Sequence, residues 1–257
     1  MRLAVYRAAD AGSGSSGEGD LPAIGRGVVG VWKIWIGGEP DLERARAVLS
    51  ADELDRASSF VFDLHRNRYL ARRVALRELL GRYLDRAPSD VCFSYSAYGK
   101  PELPGETLRF NVAHSEDLAL IGLTEQDRLG VDVAHIRELP DMEGVARTVF
   151  SKHELDVFHT LPASSKTEGF FNCWTRKEAF VKAVGDGLSY PLDVFDVTLR
   201  PGEEARLLEV EGSRARAAGW SLFDVAPMDG WVGAAAVENA AAALHGAGWL
   251  GARAEPG

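Results

Sequence analysis

The hydrophobic and polar positions of this chain follow either the period of a strand or that of a helix, and the two patterns alternate several times along the chain. Residues 31–36 (VWKIWI) are rich in β-branched and aromatic side chains, a composition typical of a strand. Two helical stretches follow within residues 41–59, and the second begins at Ser50 with acidic residues behind it, which is a capping pattern. Apolar residues at helical spacing then predict a longer helix over residues 64–84.

The same order of strands and helices recurs beyond this helix. Composition and turn signals predict strands at residues 91–96, 108–115, 118–124 and 129–136. Helices are predicted at residues 142–150, 151–160 and 166–184, followed by strands at 195–199, 206–210, 220–227 and 230–237. This order predicts an α+β fold of two similar α/β lobes, a pseudo-dimer, with the active site in the cleft between the lobes.

The two lobes are expected to divide near residues 125–130. The N-terminal lobe covers residues 1–125, and the small polar residues 11–20 within it are expected to form a flexible loop. The C-terminal lobe covers residues 126–240. The alanine-rich residues 241–257 are expected to form a loosely packed tail.

Composition limits the class of protein. The chain has 257 residues, of which 46% are hydrophobic and 26% charged, so it can bury a core as one large domain or as two lobes. No stretch approaches the roughly 20 apolar residues that a membrane helix needs, and the N-terminal residues lack the pattern of a secretory signal peptide. We therefore expect no membrane association.

Charge and cysteine content narrow the class further. The formal net charge of −9 argues against nucleic acid as a partner, although a basic stretch over residues 65–82 leaves a local anion site open. Cys92 and Cys173 are the only cysteines, which excludes a disulfide scaffold and a cysteine-built zinc site. This cysteine content fits the reducing cytoplasm, which is the expected location.

Glu178 interrupts the apolar face of the helix predicted over residues 166–184. It follows Trp174 by one turn and precedes Val181, and both of these residues belong to the apolar stripe. A carboxylate that faces a core needs a cation or a metal, because its burial otherwise costs several kcal/mol. One interpretation is a surface ion pair with Lys182, worth about 0.2–0.5 kcal/mol. The other is a functional carboxylate, and the helix alone does not decide between them.

Asp132 interrupts the strand predicted over residues 129–136, where it lies between Val131 and Val133. Aspartate is disfavoured in strands, so Asp132 is either the outward-facing residue of an alternating strand or a ligand for a cation. Asp132 and Glu178 together would supply two hard oxygen ligands, the type that Mg²⁺ prefers.

Polar and basic residues elsewhere indicate an anion site. His114 and Ser115 lie where a strand meets a short turn, and His114 could donate a hydrogen bond to a phosphate oxygen. A hydrolase that uses Ser115 and His114 is another hypothesis, but the chain has no G-x-S-x-G pattern there. Lys100 lies in a glycine-proline turn. Arg56 and the arginines of residues 66–77 include one or two that could clamp a phosphate, although most arginines on a helix are solvated.

Six motifs of the chain together resemble the 4'-phosphopantetheinyl transferases of the Sfp type. The motifs FNVAHS, GVDVAHI and WTRKEAFVKAVGDGL occur in the order and approximate spacing of that family. The similarity extends to YGKP, TVFSKHE and SYPLDVFDV, and it covers residues 50–237. Each motif is weak by itself, but the ordered set is specific.

The resemblance implies an activity and a role for each candidate residue. The family transfers the phosphopantetheine arm of coenzyme A to a serine of an acyl or peptidyl carrier protein and releases 3',5'-ADP. The implied catalytic residues are Asp132, Glu178 and Lys182. Asp132 and Glu178 bind Mg²⁺, Glu178 is the general base, directly or through a metal-bound water, and Lys182 holds the phosphates and assists the leaving group. The implied coenzyme A contacts are Lys100, His114, Ser115 and Arg56, with Arg56 near the 3'-phosphate.

The sequence departs from the family pattern at three positions. Ala134 stands where the family often has an acid, Ala113 stands where a serine commonly precedes the histidine, and Glu53 occupies a position that is basic in the family. These departures motivate an alternative, a non-catalytic protein of the same fold that binds coenzyme A or a carrier. We expect a monomer that uses coenzyme A and a carrier protein and binds neither nucleic acid nor membranes.

Overall fold

The computed structural model describes residues 5–6, 21–185, 190–225 and 227–250. The predicted flexible loop, residues 11–20, lies outside these ranges. None of the helices within them is long and apolar enough to cross a membrane.

The described residues form an α+β fold, as the sequence predicts. The strands are β1 (Val5–Tyr6), β2 (Val28–Trp35), β3 (Ser94–Tyr95), β4 (Pro101–Glu102), β5 (Leu108–Ser115), β6 (Leu118–Glu125), β7 (Leu129–His135), β8 (Phe195–Val197), β9 (Leu207–Val210), β10 (Ser221–Asp224), β11 (Trp231–Val237) and β12 (Ala243–Leu250). The helices are α1 (Leu42–Val48), α2 (Ala51–Ser58), α3 (Asp63–Leu84), α4 (Met142–Val149), α5 (Lys152–His159), α6 (Ala163–Val184) and α7 (Arg214–Ala217), with 3₁₀ turns at Pro88–Asp90 and Leu192–Val194.

Two halves of the chain repeat one element order. In the first half, strand β2 is followed by α1 to α3, a 3₁₀ turn, the β3–β4 hairpin and strands β5 and β6. In the second half, strand β7 is followed by α4 to α6, a 3₁₀ turn, the β8–β9 hairpin, α7 and strands β10 and β11. In each half the first strand pairs antiparallel with the last, giving β2-β6-β5 and β7-β11-β10.

The helices of the two halves also match in length and capping. Helices α3 and α6 both have 22 residues. Helices α2 and α5 both begin with a capping box, formed by Ser50 with Glu53 and by Ser151 with Glu154. Helix α6 ends where Gly185 adopts φ 91, a left-handed conformation that suits glycine.

Residues 243–250, expected to be part of a loosely packed tail, instead form strand β12. This strand pairs parallel with β2 and extends the first sheet to five strands, in the order β1-β12-β2-β6-β5. The prediction was wrong because alanine and glycine give little strand signal and the partner strand lies far away in the sequence. The strand expected at residues 91–96 is also shorter than predicted, since only Ser94–Tyr95 pairs with another strand.

An apolar layer joins the two sheets. Its buried members come from β2, β5 and β6 of the first sheet, from β7 and β11 of the second, and from the residue after β10. They include Val31, Leu120, Val131, Val133 and Val237. Residues Leu129 to Ala134 of β7 are all buried. Strand β7 therefore lies at the centre of the molecule, between the first sheet and helix α6.

Candidate active site

Gly130 lets strand β7 approach helix α6 closely. A Cβ atom at Gly130 would overlap the backbone oxygen of Ala179 and the backbone nitrogen of Ala183. Side chains two residues apart on a strand point to the same face, so Asp132 also faces α6. The sequence of β7 thus brings an aspartate next to the last turns of the helix.

Asp132 is buried and bonded to Lys182. The Lys182 ammonium donates to Asp132 Oδ1 at 2.5 Å and to the carbonyl oxygen of Val131 at 3.3 Å. Asp132 is only 8% exposed, and this burial raises the pKa of its carboxyl, while Lys182 and the backbone N–H of Val133 oppose the rise. The outward-facing interpretation of Asp132 was therefore wrong.

Glu178 lies one turn before Lys182 on α6 and is half-buried. Burial raises the pKa of the Glu178 carboxyl, the nearby Asp132 carboxylate raises it further, and Lys182 opposes both effects. The Lys182 ammonium makes its ion pair with Asp132, so the surface pair between Glu178 and Lys182 is not what the structure shows. The Lys182 ammonium is thus close to two carboxyl groups, those of Asp132 and Glu178.

The carboxylates of Asp132 and Glu178 suit a divalent cation. Two carboxylates with one ammonium leave a negative charge without compensation, and carboxylate oxygens are the ligands that Mg²⁺ prefers. Within the described ranges there is no group of three or more His, Cys, Asp or Glu side chains that could hold a metal. Asp132 and Glu178 would accordingly be the protein's two ligands, with other oxygens completing the shell.

A buried ion pair anchors the residue before Glu178. The Lys177 ammonium lies 2.7 Å from Glu154 Oε2 and donates to the carbonyl oxygens of Leu192 and Phe195, each at 2.6 Å. The side chains of Lys177 and Glu154 are 1% and 0% exposed. Helix α6 is thereby fixed to helix α5 and to strand β8 at the level of Glu178.

The first half contributes a basic cavity of about 280 Å³. It is lined by Phe60, His65, Arg68, Tyr69, Arg72, His114 and Glu116. Partial burial lowers the pKa of His114 to about 4, and the positive charges of Arg72, Lys182 and Arg68 lower it further. Strand β5, which carries His114, adjoins strand β7, which carries Asp132, through a hydrogen bond between Ser115 and His135.

Tertiary contacts separate the arginines of α3 into two groups. Arg73 and Arg77 both bind Glu53, which is 2% exposed and also caps helix α2. Their charges are used inside the fold, and this explains the acid at position 53. Arg68 and Arg72 line the basic cavity instead.

Arg56, Arg68 and Arg72 differ in their surroundings. Arg68 donates to Asp117 Oδ1 at 2.7 Å. Burial lowers the pKa of Arg72 to about 10, and the nearby charges of Arg73 and Arg56 add to the effect. Arg56 itself is exposed on α2. Helix periodicity carried no signal that distinguished Arg68 and Arg72 from their neighbours.

Lys100 bridges the two halves. Its ammonium donates to the carbonyl oxygen of Lys182 at 2.6 Å and to that of Leu129 at 3.2 Å. Burial lowers the pKa of Lys100 to about 8. Lys100 also borders a second cavity, of about 340 Å³, together with Arg109 and Arg128. Its predicted contact with phosphate stays a prediction.

Ser115 contacts the neighbouring strand. Its Oγ accepts a hydrogen bond from the backbone N–H of His135 at 3.3 Å. Consecutive side chains on a strand point to opposite faces, so His114 and Ser115 do not face each other. This geometry disfavours a hydrolase built on the two residues. The predicted coenzyme A contact of Ser115 stays a prediction.

Two family models match the chain. A model described as "4'-phosphopantetheinyl transferase superfamily" matches residues 128–236, and one described as "4'-phosphopantetheinyl transferase, N-terminal" matches residues 33–126. The boundary between the two matches falls between strands β6 and β7.

Curated relatives are similar over most of the chain. The 4'-phosphopantetheinyl transferase HetI of Nostoc sp. strain PCC 7120 is 38% identical over 215 residues, covering 82% of this chain and 84% of the relative. The 4'-phosphopantetheinyl transferase Sfp of Bacillus subtilis strain 168 is 30% identical over 158 residues, covering 61% of this chain and 69% of the relative. The crystal structure of Thermotoga maritima holo-[acyl-carrier-protein] synthase has a TM-score of 0.35 at 23% identity, over 43% of this chain and 62% of that chain.

Proposed function

This chain belongs to the 4'-phosphopantetheinyl transferases, and we propose that it transfers the 4'-phosphopantetheine group of coenzyme A to a serine of an acyl or peptidyl carrier protein, releasing 3',5'-ADP. One observation carries the assignment of the site. The Lys182 ammonium, which pairs with Asp132 one turn after Glu178, acts electrostatically on His114, which lines the basic cavity together with Arg72. Carboxylates next to cations suit a substrate that carries a pyrophosphate and a divalent ion.

In the proposed reaction, the serine oxygen of the carrier attacks the β-phosphate of coenzyme A. The bond between this phosphorus and the oxygen that bridges the two phosphates breaks, and 3',5'-ADP leaves. Glu178, directly or through a water molecule, takes the proton of the serine hydroxyl, and burial raises the pKa of its carboxyl toward the range suited to a general base. A Mg²⁺ ion bound by Asp132 and Glu178 would neutralise the charge of the pyrophosphate.

Lys182 would hold the pyrophosphate from the side of α6. In the free protein its ammonium compensates the buried Asp132 carboxylate. With a cation bound to Asp132 and Glu178, the Lys182 ammonium would be available to donate to a phosphate oxygen and would stabilise the leaving group. The Lys182 side chain is 30% exposed, which leaves it accessible to a ligand.

The basic cavity is the proposed site of the 3'-phosphate. Arg72 and His114 line this cavity, and the exposed Arg56 adds positive charge near Arg72. Arg72→Gln should weaken binding of coenzyme A at least about tenfold, because a charged hydrogen bond is worth about 1.5–3 kcal/mol. It should leave binding of dephospho-coenzyme A, which lacks this phosphate, nearly unchanged. Arg46→Gln, at an exposed position on α1, is the matched control.

Mass spectrometry of an apo carrier tests the activity. Incubation with the protein, coenzyme A and Mg²⁺ should add one phosphopantetheine group, and chelation of the metal should stop the reaction. Asp132→Asn and Glu178→Gln should abolish transfer, whereas Glu168→Gln, at an exposed position on the same helix, should retain it. Coenzyme A binding without transfer to any of a panel of carriers would favour the non-catalytic alternative. The cytoplasmic location and the monomeric state remain predictions.

A further inference from the structure

Two side chains of β5 bond to the backbone of β7 across the junction between the two sheets, which we call the seam. The first sheet ends at β5 and the second at β7, so each is an edge strand in its sheet. Asn111 Oδ1 accepts from the backbone N–H of Val131 at 2.9 Å, and Ser115 Oγ accepts from that of His135 at 3.3 Å. Both strands advance by four residues between these bonds, so they run in the same direction and the bonds form two rungs.

Asp132 lies between the two rungs. In a strand, backbone N–H groups of alternate residues face the same edge, so those of Val131, Val133 and His135 all face β5. The two rungs bond to the first and the third of these N–H groups, those of Val131 and His135. The second, that of Val133, lies beside the carboxyl group of Asp132 and opposes the rise of its pKa. The edge of β7 is therefore held on both sides of the aspartate by side chains of the other half.

The rungs also bracket a residue of the basic cavity. His114 directly precedes Ser115 on β5, and its side chain points away from the seam, toward Arg68 and Arg72. Any shift of β7 along β5 would change the position of Asp132 relative to His114. The apolar layer between the sheets is not directional, so it does not fix this register as hydrogen bonds do.

We propose that Asn111 and Ser115 are positioning residues that set the register between the metal-binding carboxylate of Asp132 and the phosphate-binding face of β5. The proposal rests on the proposed function, since it assumes that one substrate contacts both sides of the seam. It gives Ser115 a role through the protein backbone in place of direct contact with coenzyme A. Ser115 remains part of the site in either case.

The test compares Ser115→Ala with Ser115→Thr, which keeps the hydroxyl oxygen. Misplacement of a reacting group by about 1 Å can cost about 100-fold in rate, so loss of one rung is expected to lower kcat about tenfold. The KM for coenzyme A should change less than about twofold, and Ser115→Thr should restore kcat. Asn111→Leu should lower kcat similarly, and the double variant should lower it further.

Ser221→Ala is the matched control. Ser221 lies on edge strand β10, and its hydroxyl donates to the backbone oxygen of Asn239, a bond within the second half. Its removal should not change kcat. Amide hydrogen exchange supplies a readout that needs no activity, because the amide of His135 should exchange faster in Ser115→Ala than in the wild type and Ser115→Thr.

The outcomes separate the two proposals. An inactive wild-type protein overturns the proposed function, and amide exchange then still tests the rungs. If the wild type is active and Ser115→Ala keeps kcat within about twofold, or if Ser115→Thr fails to restore it, the positioning role is wrong. If Asn111→Leu does not fold, the two Ser115 variants decide the question alone.

Discussion

Lys177→Met tests how the helix that carries Glu178 is anchored. The Lys177 ammonium lies 2.7 Å from Glu154 Oε2 and donates to two backbone carbonyl oxygens. Methionine keeps much of the apolar stem of the side chain but removes the charge and the three donors. The Glu154 carboxyl, with 0% of its side chain exposed, would then be buried without its cation.

The expected loss of stability is large. Removing one partner of a buried ion pair costs about 3–5 kcal/mol. With the roughly 2–4 °C per kcal/mol typical of chains of this size, the thermal midpoint should fall by about 10 °C. Urea unfolding followed by tryptophan fluorescence measures the same loss at constant temperature.

The loss should also depend on pH in a defined direction. Burial raises the pKa of the Glu154 carboxyl and Lys177 opposes this rise, so Lys177→Met raises the pKa further. A carboxyl whose folded pKa exceeds its unfolded value is tolerated best in its protonated form. The variant should therefore regain stability relative to the wild type below the ordinary glutamate pKa of 4.5 and lose it as the pH rises through the raised folded pKa.

An exposed ion pair supplies the control. Arg206 pairs with Glu204, and their side chains are 63% and 74% exposed, so Arg206→Met should cost less than about 1 kcal/mol. The double variant Glu154→Gln, Lys177→Met should recover part of the loss, because no buried charge then lacks a partner. A loss for Lys177→Met no greater than that for Arg206→Met would refute the reasoning.

Three further predictions concern packing, protonation and docking. Gly130→Ala should cost about 1–3 kcal/mol and lower the transfer rate by moving β7 from α6, whereas Gly25→Ala, where a Cβ meets nothing within 4 Å, should be neutral; equal unfolding midpoints would contradict this. By NMR, the His114 ring of the free protein should titrate near pH 4, and its contribution to stability should be lost as the pH falls from about 6.5 toward 4. Binding of coenzyme A should raise this pKa. A His114 titration midpoint near pH 6.5 in the free protein would contradict the prediction. Arg147 on α4 and Lys152 on α5 are exposed and could offer a local positive patch to an acidic carrier protein. Reversing both charges should weaken carrier binding without changing coenzyme A affinity, and unchanged carrier affinity would exclude this docking patch.

Most helices and strands could be predicted from the sequence because their patterns are local. The 3.6-residue period of α3 and α6 and the β-branched runs of β5 to β7 depend only on neighbouring residues. Strand β12 could not be predicted in this way. Its pairing with β2 joins residues more than 200 positions apart, and its small residues carry little pattern.

The candidate site divides in the same way. Glu178 on an apolar helical stripe and Asp132 in an apolar strand are visible as local anomalies, since each places a charge where the pattern requires an apolar side chain. The partner of Lys182 is not visible, because helical spacing favours Glu178 while the approach of β7 supplies Asp132 at 2.5 Å.

The sequence by itself determined the element order, the family resemblance and the two carboxylates, because these depend on residue identity and spacing along the chain. Only the tertiary structure decided which charged side chains form ion pairs inside the fold. Glu53 takes up Arg73 and Arg77, leaving Arg68 and Arg72 to the basic cavity, and Asn111 and Ser115 bond to the backbone of β7. The physical reason is that a buried charge or N–H group bonds to whichever partner the packed elements bring within hydrogen-bond distance. These elements are remote in sequence, so local patterns do not reveal the partner.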